Sequence, residues 1–213
     1  MIIVMRNNLL IVIPSRLNSK RLKRKPLQKI GKKTLIERVY ENIKKIQSYK
    51  IIVATDSIEI LNTCKKSNIP CVLTSKKHKS GSDRVAEIAK RTKFKWILNL
   101  QGDEPLINIT DVKKLINKTL KYNKKKPDFV ASTLHVKKKF VKAWRQVCIY
   151  SYPYKALMAF SSNKKKTQLE SIEDCELIRF LELGYDVKMI SMSNKSISVD
   201  TKQDLIKIKK ILS

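Results

Sequence analysis

Short apolar runs alternate with segments of helical periodicity along most of the chain. The runs are rich in β-branched residues and stop at turn-forming residues, which is typical of buried strands. Between them, apolar residues recur every three or four positions, which predicts helices packed on a sheet. The predicted strands span residues 9–13, 50–54, 70–73, 96–100, 128–136, 147–152 and 186–192. This alternation predicts an α/β fold.

Capping patterns and glycines mark the ends of several predicted helices. Thr34 with Glu37 and Thr201 with Asp204 have the spacing of capping boxes. After a turn opened by Gly81, we expect Ser82 to cap the next helix. Residues 169–184 are predicted as one helix that ends at Gly184. In that helix the apolar residues are expected to face the core and three acidic residues to face solvent: Ile172, Cys175, Ile178, Phe180 and Leu181 against Glu170, Glu173 and Glu176.

The sequence WILNLQGDEPLI, residues 96–107, is a buried strand followed by a turn. Asp103 and Glu104 therefore lie at the carboxyl end of a strand, the edge where ligands bind in open α/β sheets. A carboxylate beside a glycine at that edge can hold a hard cation. A solvated acidic turn explains the same residues equally well, so this stretch alone leaves both interpretations open.

The charge balance first raises the question of nucleic-acid binding, because the formal net charge is +29. The lysines are spread over almost every segment, however, and no helix-turn-helix, zinc-finger or RNP pattern accompanies them. We therefore expect compositional drift and no nucleic-acid partner. With 213 residues and 42% hydrophobic residues, the chain fits a single domain over residues 1–213, with 1–8 as a loosely ordered extension.

The cysteines and the N-terminal apolar runs bear on the compartment. The four cysteines show no Cys-x-x-Cys spacing, which favours buried reduced thiols in a reducing environment. Neither N-terminal apolar run reaches the length of a signal or transmembrane segment. We expect a cytoplasmic protein that does not enter the membrane.

A strongly basic loop follows the first predicted strand, with the sequence PSRLNSKRLKRKPL. No GxxxxGK[ST] or GxGxxG motif occurs, and the chain has only four glycines, so phosphates would have to be bound by side chains. The position of the loop favours phosphate binding over a solvated charge run. Arg84, in the first turn of a predicted helix, is expected either at the surface or facing a ligand. His78 is predicted to be a polar loop residue and not a catalytic base, because no nearby carboxylate or nucleophile suggests a catalytic relay.

Four stretches give the chain a resemblance to a known family. They are PSRLNSKRLKRKPL, HKSGSDRVAEI, LNLQGDEPLI and ISVDTKQDL, and their order and spacing agree over most of the chain. They resemble the cytidylyltransferases that activate 3-deoxy-D-manno-octulosonate (KDO), the CMP-KDO synthetases of lipopolysaccharide assembly. The resemblance implies a Rossmann-like nucleotidyltransferase fold, a three-layer α/β/α sandwich with a mostly parallel mixed sheet.

The resemblance also implies roles for individual residues. CTP and a sugar acid would be the substrates and Mg²⁺ the cofactor, with Asp103 and Asp200 as metal ligands. Asp200 could equally be a helix N-cap instead of a metal ligand. Lys25, Arg16 and Asp103 would be the catalytic residues. The nucleotide would be held by Pro14, Ser15, Arg16, Lys20, Arg21, Lys25, Ser80, Arg84 and Gln101, and the sugar by Tyr150, Glu170 and Glu173.

Three departures from the family pattern affect these expectations. Lys23 and Arg24 stand where the family has Pro and a small residue, often Gly. Only about ten residues separate His135 from Val147, so the family's V-K-V segment and dimer-forming arm have no counterpart, and Gln146 replaces a His. We therefore expect a weakened homodimer. Three alternatives remain: transfer to another sugar, a decayed nucleotide-binding protein, and a basic nucleic-acid-binding protein.

Overall fold

A computed structural model describes residues 8–19, 21–92, 94–122, 129–137, 143–193 and 196–212. Its strands are β1 Leu9–Ser15, β2 Lys29–Ile30, β3 Lys33–Thr34, β4 Lys50–Thr55, β5 Cys71–Leu73, β6 Trp96–Leu100, β7 Phe129–Lys137, β8 Ala143–Pro153 and β9 Asp186–Ser191. Its helices are α1 Leu35–Lys44, α2 Ile58–Lys66, α3 Gly81–Lys90, α4 Ile109–Tyr122, α5 Tyr154–Ser162, α6 Gln168–Glu173, α7 Glu176–Glu182 and α8 Lys202–Leu212, with a short 3₁₀ helix at Lys25–Leu27.

The main sheet has the strand order β5-β4-β1-β6-β8-β7-β9. β1 pairs in parallel with β4 and β6, β4 with β5, and β7 with β9. β8 runs antiparallel to both of its neighbours, β6 and β7. The sheet is therefore mixed and mostly parallel, as predicted.

Both faces of the sheet are covered, which explains the continuous apolar run of β1. Leu9, Ile11 and Ile13 point into one apolar cluster, together with residues of α1, α2, α4 and α8. Leu10 and Val12 point into a second cluster, with residues of α3, α5 and α7. Because successive side chains of a strand face opposite sides, this division gives the three-layer α/β/α arrangement.

The start of α1 follows the sequence prediction. Thr34 and Glu37 form the capping box, in which the Thr34 N–H donates to Glu37 Oε2 at 2.5 Å. For α3 the predicted cap was wrong. Ser80 caps this helix through Asp83, while Ser82 lies one residue inside the helix and is buried.

The prediction of one helix over residues 169–184 was also wrong. The chain turns at Asp174, whose φ of 50° is left-handed, and this turn separates α6 from α7. The turn changes the face that each side chain presents, because α7 starts a new helical phase. Glu170 is consequently buried, whereas Ile172 is 70% exposed and Leu181 54% exposed.

Two further expectations concern the cysteines and the membrane. All four cysteines are free thiols, but only Cys64 is buried: Cys71 and Cys175 are half-buried and Cys148 is exposed. Within the described part of the chain, no helix has the length and apolar character needed to cross a bilayer. Residues 1–7 of the proposed extension lie outside the described residues, and the single domain stays a prediction.

Candidate active site

The carboxyl ends of β1 and β6 form one wall of a cavity. These strands are parallel neighbours, so the loops that follow them leave the same edge of the sheet. Gly102 allows the two loops to approach, because a Cβ at this position would lie 3.0 Å from the Pro14 carbonyl oxygen. The cavity is lined by Pro14, Ser15, Arg16, Asn18, Ser19, Lys25, Pro26, Gly81, Gln101, Gly102 and Asp103.

Three residues far apart in sequence meet beside this cavity, and two of them, Lys25 and Asp103, line it. Lys25 Nζ donates to Asp103 Oδ2 at 2.5 Å and to Asp200 Oδ1 at 3.0 Å. Arg21 Nη2 also donates to Asp200 Oδ1, at 2.9 Å. Burial by itself lowers the pKa of Lys25, but the two carboxylates outweigh that effect and the pKa is raised. The Lys25 ammonium is therefore held in its charged form.

Asp200 is not the cap of the last helix. Thr201 and Asp204 form the capping box of α8, and Asp204 Oδ2 also accepts from the Asp200 N–H at 3.1 Å. The Asp200 side chain is thus left to bind Arg21 and Lys25. A hydrogen bond of 2.9 Å from the Val199 N–H to the Asp103 carbonyl oxygen joins this segment to the loop after β6.

The donor set suits a magnesium ion that arrives with phosphate ligands. Asp103 and Asp200 both contact Lys25 Nζ, so their carboxylates lie close together. Carboxylate oxygens are the ligands that Mg²⁺ prefers. Among the described residues, no group of three or more His, Cys, Asp or Glu is placed to bind a metal. Since Mg²⁺ is commonly held by one or two carboxylates and by substrate phosphates, two aspartates are a sufficient protein contribution.

Arg16 and Arg84 differ in their access to the cavity. Arg16 lines it, and its Nη2 is buried with no hydrogen-bond partner in the described structure. Arg84 is fully buried and forms an ion pair of 2.7 Å with Asp56. It also donates to Thr74. The surface alternative for Arg84 was wrong, because its guanidinium is buried against the carboxylate of Asp56. Its role in holding the nucleotide stays a prediction.

A second cavity adjoins the first and shares Arg16 and Gly81 with it. It contains cationic and acidic side chains from the start of α3, from the loop before α6, and from α6 and α7. They are Lys79, Ser80, Asp83, Lys164, Lys166, Glu170, Asp174, Glu176 and Arg179. Lys164 and Lys79 are exposed there.

The residues expected on the sugar side have different environments. Glu170 accepts from Arg179 at both carboxylate oxygens, at 2.5 and 2.7 Å, and is 1% exposed. Its predicted role in binding sugar is therefore corrected to that of a buried ion-pair partner. Glu173 lies on the exposed side of α6. Tyr150 is buried, its hydroxyl accepts from Gln146 Nε2 at 3.2 Å, and burial raises its pKa.

Glu176 was not predicted from the sequence as a site residue, and the break at Asp174 brings it to the second cavity. Ser82 donates to the Glu176 carboxylate, and the Ser82 and Tyr152 hydroxyls are 3.1 Å apart. Burial raises the pKa of Glu176 above its usual range. The sequence signal for a site near Ser82 was Ser-Gly-Ser-Asp at the start of α3, which places hydroxyls beside a glycine at a helix N-terminus.

Other predicted site residues fall into three groups. Pro14, Ser15 and Gln101 line the first cavity, and their role in holding the nucleotide stays a prediction. Ser80 lines the second cavity and uses its hydroxyl for the cap with Asp83. Lys20 lies outside the described residues. His78 does have a carboxylate neighbour in the structure, because its Nε2 contacts Glu87.

Comparison with known proteins places this geometry in a family. The model of the family described as cytidylyltransferase matches residues 10–166. The chain belongs to the cytidylyltransferase family. It is 34% identical to the 3-deoxy-manno-octulosonate cytidylyltransferase of Fusobacterium nucleatum over 227 residues, which cover 91% of this chain and 92% of the relative. The enzyme of the same name from Rickettsia typhi is 35% identical over 230 residues, covering 94% and 95%.

Solved structures support the same relationship. A CMP:2-keto-3-deoxy-manno-octonic acid synthetase complexed with CTP superposes with a TM-score of 0.85 at 25% identity, covering 96% of this cytidylyltransferase and 98% of that chain. A cytidylyltransferase from Leptospira borgpetersenii has a TM-score of 0.73 at 19% identity, covering 95% and 85%, and shows likeness of fold alone.

The relatives contain residues that this cytidylyltransferase lacks. The alignment with the Fusobacterium nucleatum enzyme extends over 227 positions, more than the 213 residues of this chain. Here the antiparallel strands β7 and β8 end and begin at Lys137 and Ala143, which leaves a short connection. The weakened homodimer expected from the missing arm stays a prediction.

Proposed function

We propose that this cytidylyltransferase transfers CMP from CTP to KDO or a related ulosonic acid and releases pyrophosphate, for lipopolysaccharide or surface-polysaccharide synthesis. The observation that carries the proposal is the convergence of Asp103 and Asp200 on Lys25, which lines the cavity between the β1 and β6 loops together with Asp103. Family membership and the CTP complex of a similar structure support it.

The first cavity would hold the nucleotide. In this transfer an acceptor hydroxyl attacks the α-phosphorus in line, its proton is lost, and the bond to pyrophosphate breaks. Such reactions depend on positioning and on neutralising phosphate charge. Arg16, Arg21 and Lys25 can bind phosphate oxygens. Asp103 and Asp200 would hold Mg²⁺, which neutralises the developing charge on the phosphates.

The second cavity would hold the sugar acid, because it adjoins the first at Arg16 and Gly81. The acceptor named for the relatives is a sugar acid, which carries a carboxylate group. Lys79 and Lys164 offer cations to that carboxylate in the second cavity. Glu176 offers an acceptor for sugar hydroxyls. The acid would thus lie with its reactive hydroxyl toward the nucleotide.

A coupled assay of pyrophosphate release tests the proposal. The full chain with Mg²⁺ and CTP should release pyrophosphate when KDO or a nine-carbon ulosonic acid is added. Release should be much lower with a sugar phosphate that has no carboxylate, or when UTP replaces CTP. Calorimetry should show CTP binding in the presence of Mg²⁺. Turnover only with a sugar phosphate would mean that the acceptor is a sugar phosphate and not an ulosonic acid. Absence of CTP binding would refute the proposal.

A further inference from the structure

Lys25 lies between the carboxylates of Asp103 and Asp200, and Lys25 and Asp103 line the first cavity. Its Nζ contacts Asp103 and Asp200 at 2.5 and 3.0 Å, and its side chain is only 13% exposed. Arg21 shares the same oxygen of Asp200. Two carboxylates are thus matched by two cations, so a free divalent metal would meet no excess of negative charge here.

A metal bound at these carboxylates would compete directly with the Lys25 ammonium. Two cations a few ångströms apart repel strongly even at the effective dielectric of a protein surface. Phosphate groups remove this conflict, because they give Lys25 and Arg21 other anions to bind. Lys25 already lines the cavity in which those phosphates would lie.

The main chain around Lys25 can stay in place during such an exchange. The Leu27 N–H donates to the Arg24 carbonyl oxygen at 2.9 Å and the Gln28 N–H to that of Lys25 at 3.2 Å. Pro26 is buried beside Lys25. The ammonium lies at the end of a flexible four-carbon side chain, so side-chain rotation alone can move it from the carboxylates to a phosphate.

We propose that Lys25 acts as an internal cation that keeps free divalent metal away from Asp103 and Asp200 until a triphosphate arrives and draws the ammonium away. This inference rests on the proposed function for the identity of the nucleotide. The site would accordingly take up metal and nucleotide together and bind metal alone poorly.

Electron paramagnetic resonance with Mn²⁺ tests this inference without any turnover. In the absence of nucleotide, Lys25→Met should bind Mn²⁺ about tenfold or more tightly than the wild type, because a like charge within a few ångströms is removed. Adding Asp103→Asn to that variant should abolish the gain. Lys25→Arg, which keeps the charge, should exclude Mn²⁺ as the wild type does.

Lys32→Met provides the control for net charge, since Lys32 is exposed on the turn between β2 and β3. Equal Mn²⁺ affinity in wild type and Lys25→Met, or an equal gain in Lys32→Met, would overturn the inference. So would failure of CTP to increase Mn²⁺ binding to the wild type. If the Mn²⁺ results hold while no acceptor supports pyrophosphate release, the inference stands and only the proposed acceptor transfer fails.

Discussion

Arg84 and Asp56 form an ion pair of 2.7 Å between Nη2 and Oδ2, in which the arginine side chain is completely buried. The Thr74 hydroxyl, which accepts from the same guanidinium, donates to the Thr55 carbonyl oxygen at 2.9 Å. The pair therefore ties α3, which carries Gly81 and Ser80 to the two cavities, to the ends of β4 and β5.

Asp56→Asn should lower the free energy of unfolding by about 3 to 5 kcal/mol, because it leaves the buried guanidinium without its counter-charge. Urea denaturation measures this value. The matched control is Glu41→Gln, which breaks the exposed pair of Glu41 with Lys33. That change should cost less than about 1 kcal/mol. Similar losses of unfolding free energy in the two variants would show that the buried Arg84–Asp56 pair contributes no more to stability than an exposed pair.

Asp200→Asn should remove most turnover while leaving the fold intact, since losing a charged metal ligand costs on the order of several kcal/mol of transition-state stabilisation. Asp103→Asn should behave in the same way. Pyrophosphate release at saturating Mg²⁺, measured beside thermal unfolding, checks both.

Asp204→Asn is the control for Asp200 because Asp204 is the partner of Thr201 in the capping box of α8, where its carboxylate accepts from the Thr201 N–H and hydroxyl. It should lower stability by about 1 kcal/mol and leave kcat close to the wild-type value. If Asp200→Asn instead loses stability and keeps its turnover, Asp200 is not a metal ligand.

Those parts of the site that depend on local signals are predictable from the sequence. The turn after Trp96–Leu100 and the basic loop before Pro26 have local signatures, and parallel strands bring them to one edge. The role of Asp56 was not predictable in this way, because its partner lies 28 residues away and the pairing depends on how α3 packs.

Glu176 was missed for a different reason. No glycine or proline marks the break at Asp174, so apolar spacing across α6 and α7 predicts one continuous helix. A residue other than glycine seldom adopts a left-handed φ, and sequence periodicity gives no sign of such a residue. The predicted inner and outer faces were consequently wrong for Glu170 and Ile172.

Arg24 has a φ of 51° at a position where the family pattern often has Gly, and it contacts Glu59 through an exposed ion pair. Arg24→Gly and Arg24→Ala both remove the ion pair, but only Gly adopts this conformation without strain. We expect Arg24→Gly to be more stable than Arg24→Ala by about 1 kcal/mol in thermal denaturation. At Lys23, which lacks a positive φ, the order should reverse because Gly has more freedom in the unfolded chain.

The half-buried Glu176 gives a pH dependence of stability. Burial raises its pKa above the ordinary value of 4.5, although hydrogen bonding from Ser82 opposes the shift. A raised pKa means that ionisation costs more in the folded than in the unfolded state. The contribution to stability is complete below pH 4.5 and is lost as pH rises through the folded-state pKa.

Glu176→Gln cannot ionise, so its melting temperature relative to the wild type should increase with pH over that interval. Melting curves at a series of pH values test this expectation, with the exposed Glu173→Gln as control. A constant difference between Glu176→Gln and the wild type at all pH values would contradict it.

Lys164 and Lys165 are adjacent exposed lysines, but only Lys164 lines the second cavity. If that cavity binds the carboxylate of the sugar acid, Lys164→Met should raise the KM for the acid about tenfold, since a charged hydrogen bond contributes roughly 1.5 to 3 kcal/mol. The KM for CTP should change little, because Lys164 is not among the residues that line the first cavity. Lys165→Met has the same loss of charge and should leave both constants near their wild-type values. Equal effects of the two substitutions would mean that the basic run acts only through net charge, and an increase in the KM for CTP alone would move Lys164 to the nucleotide side.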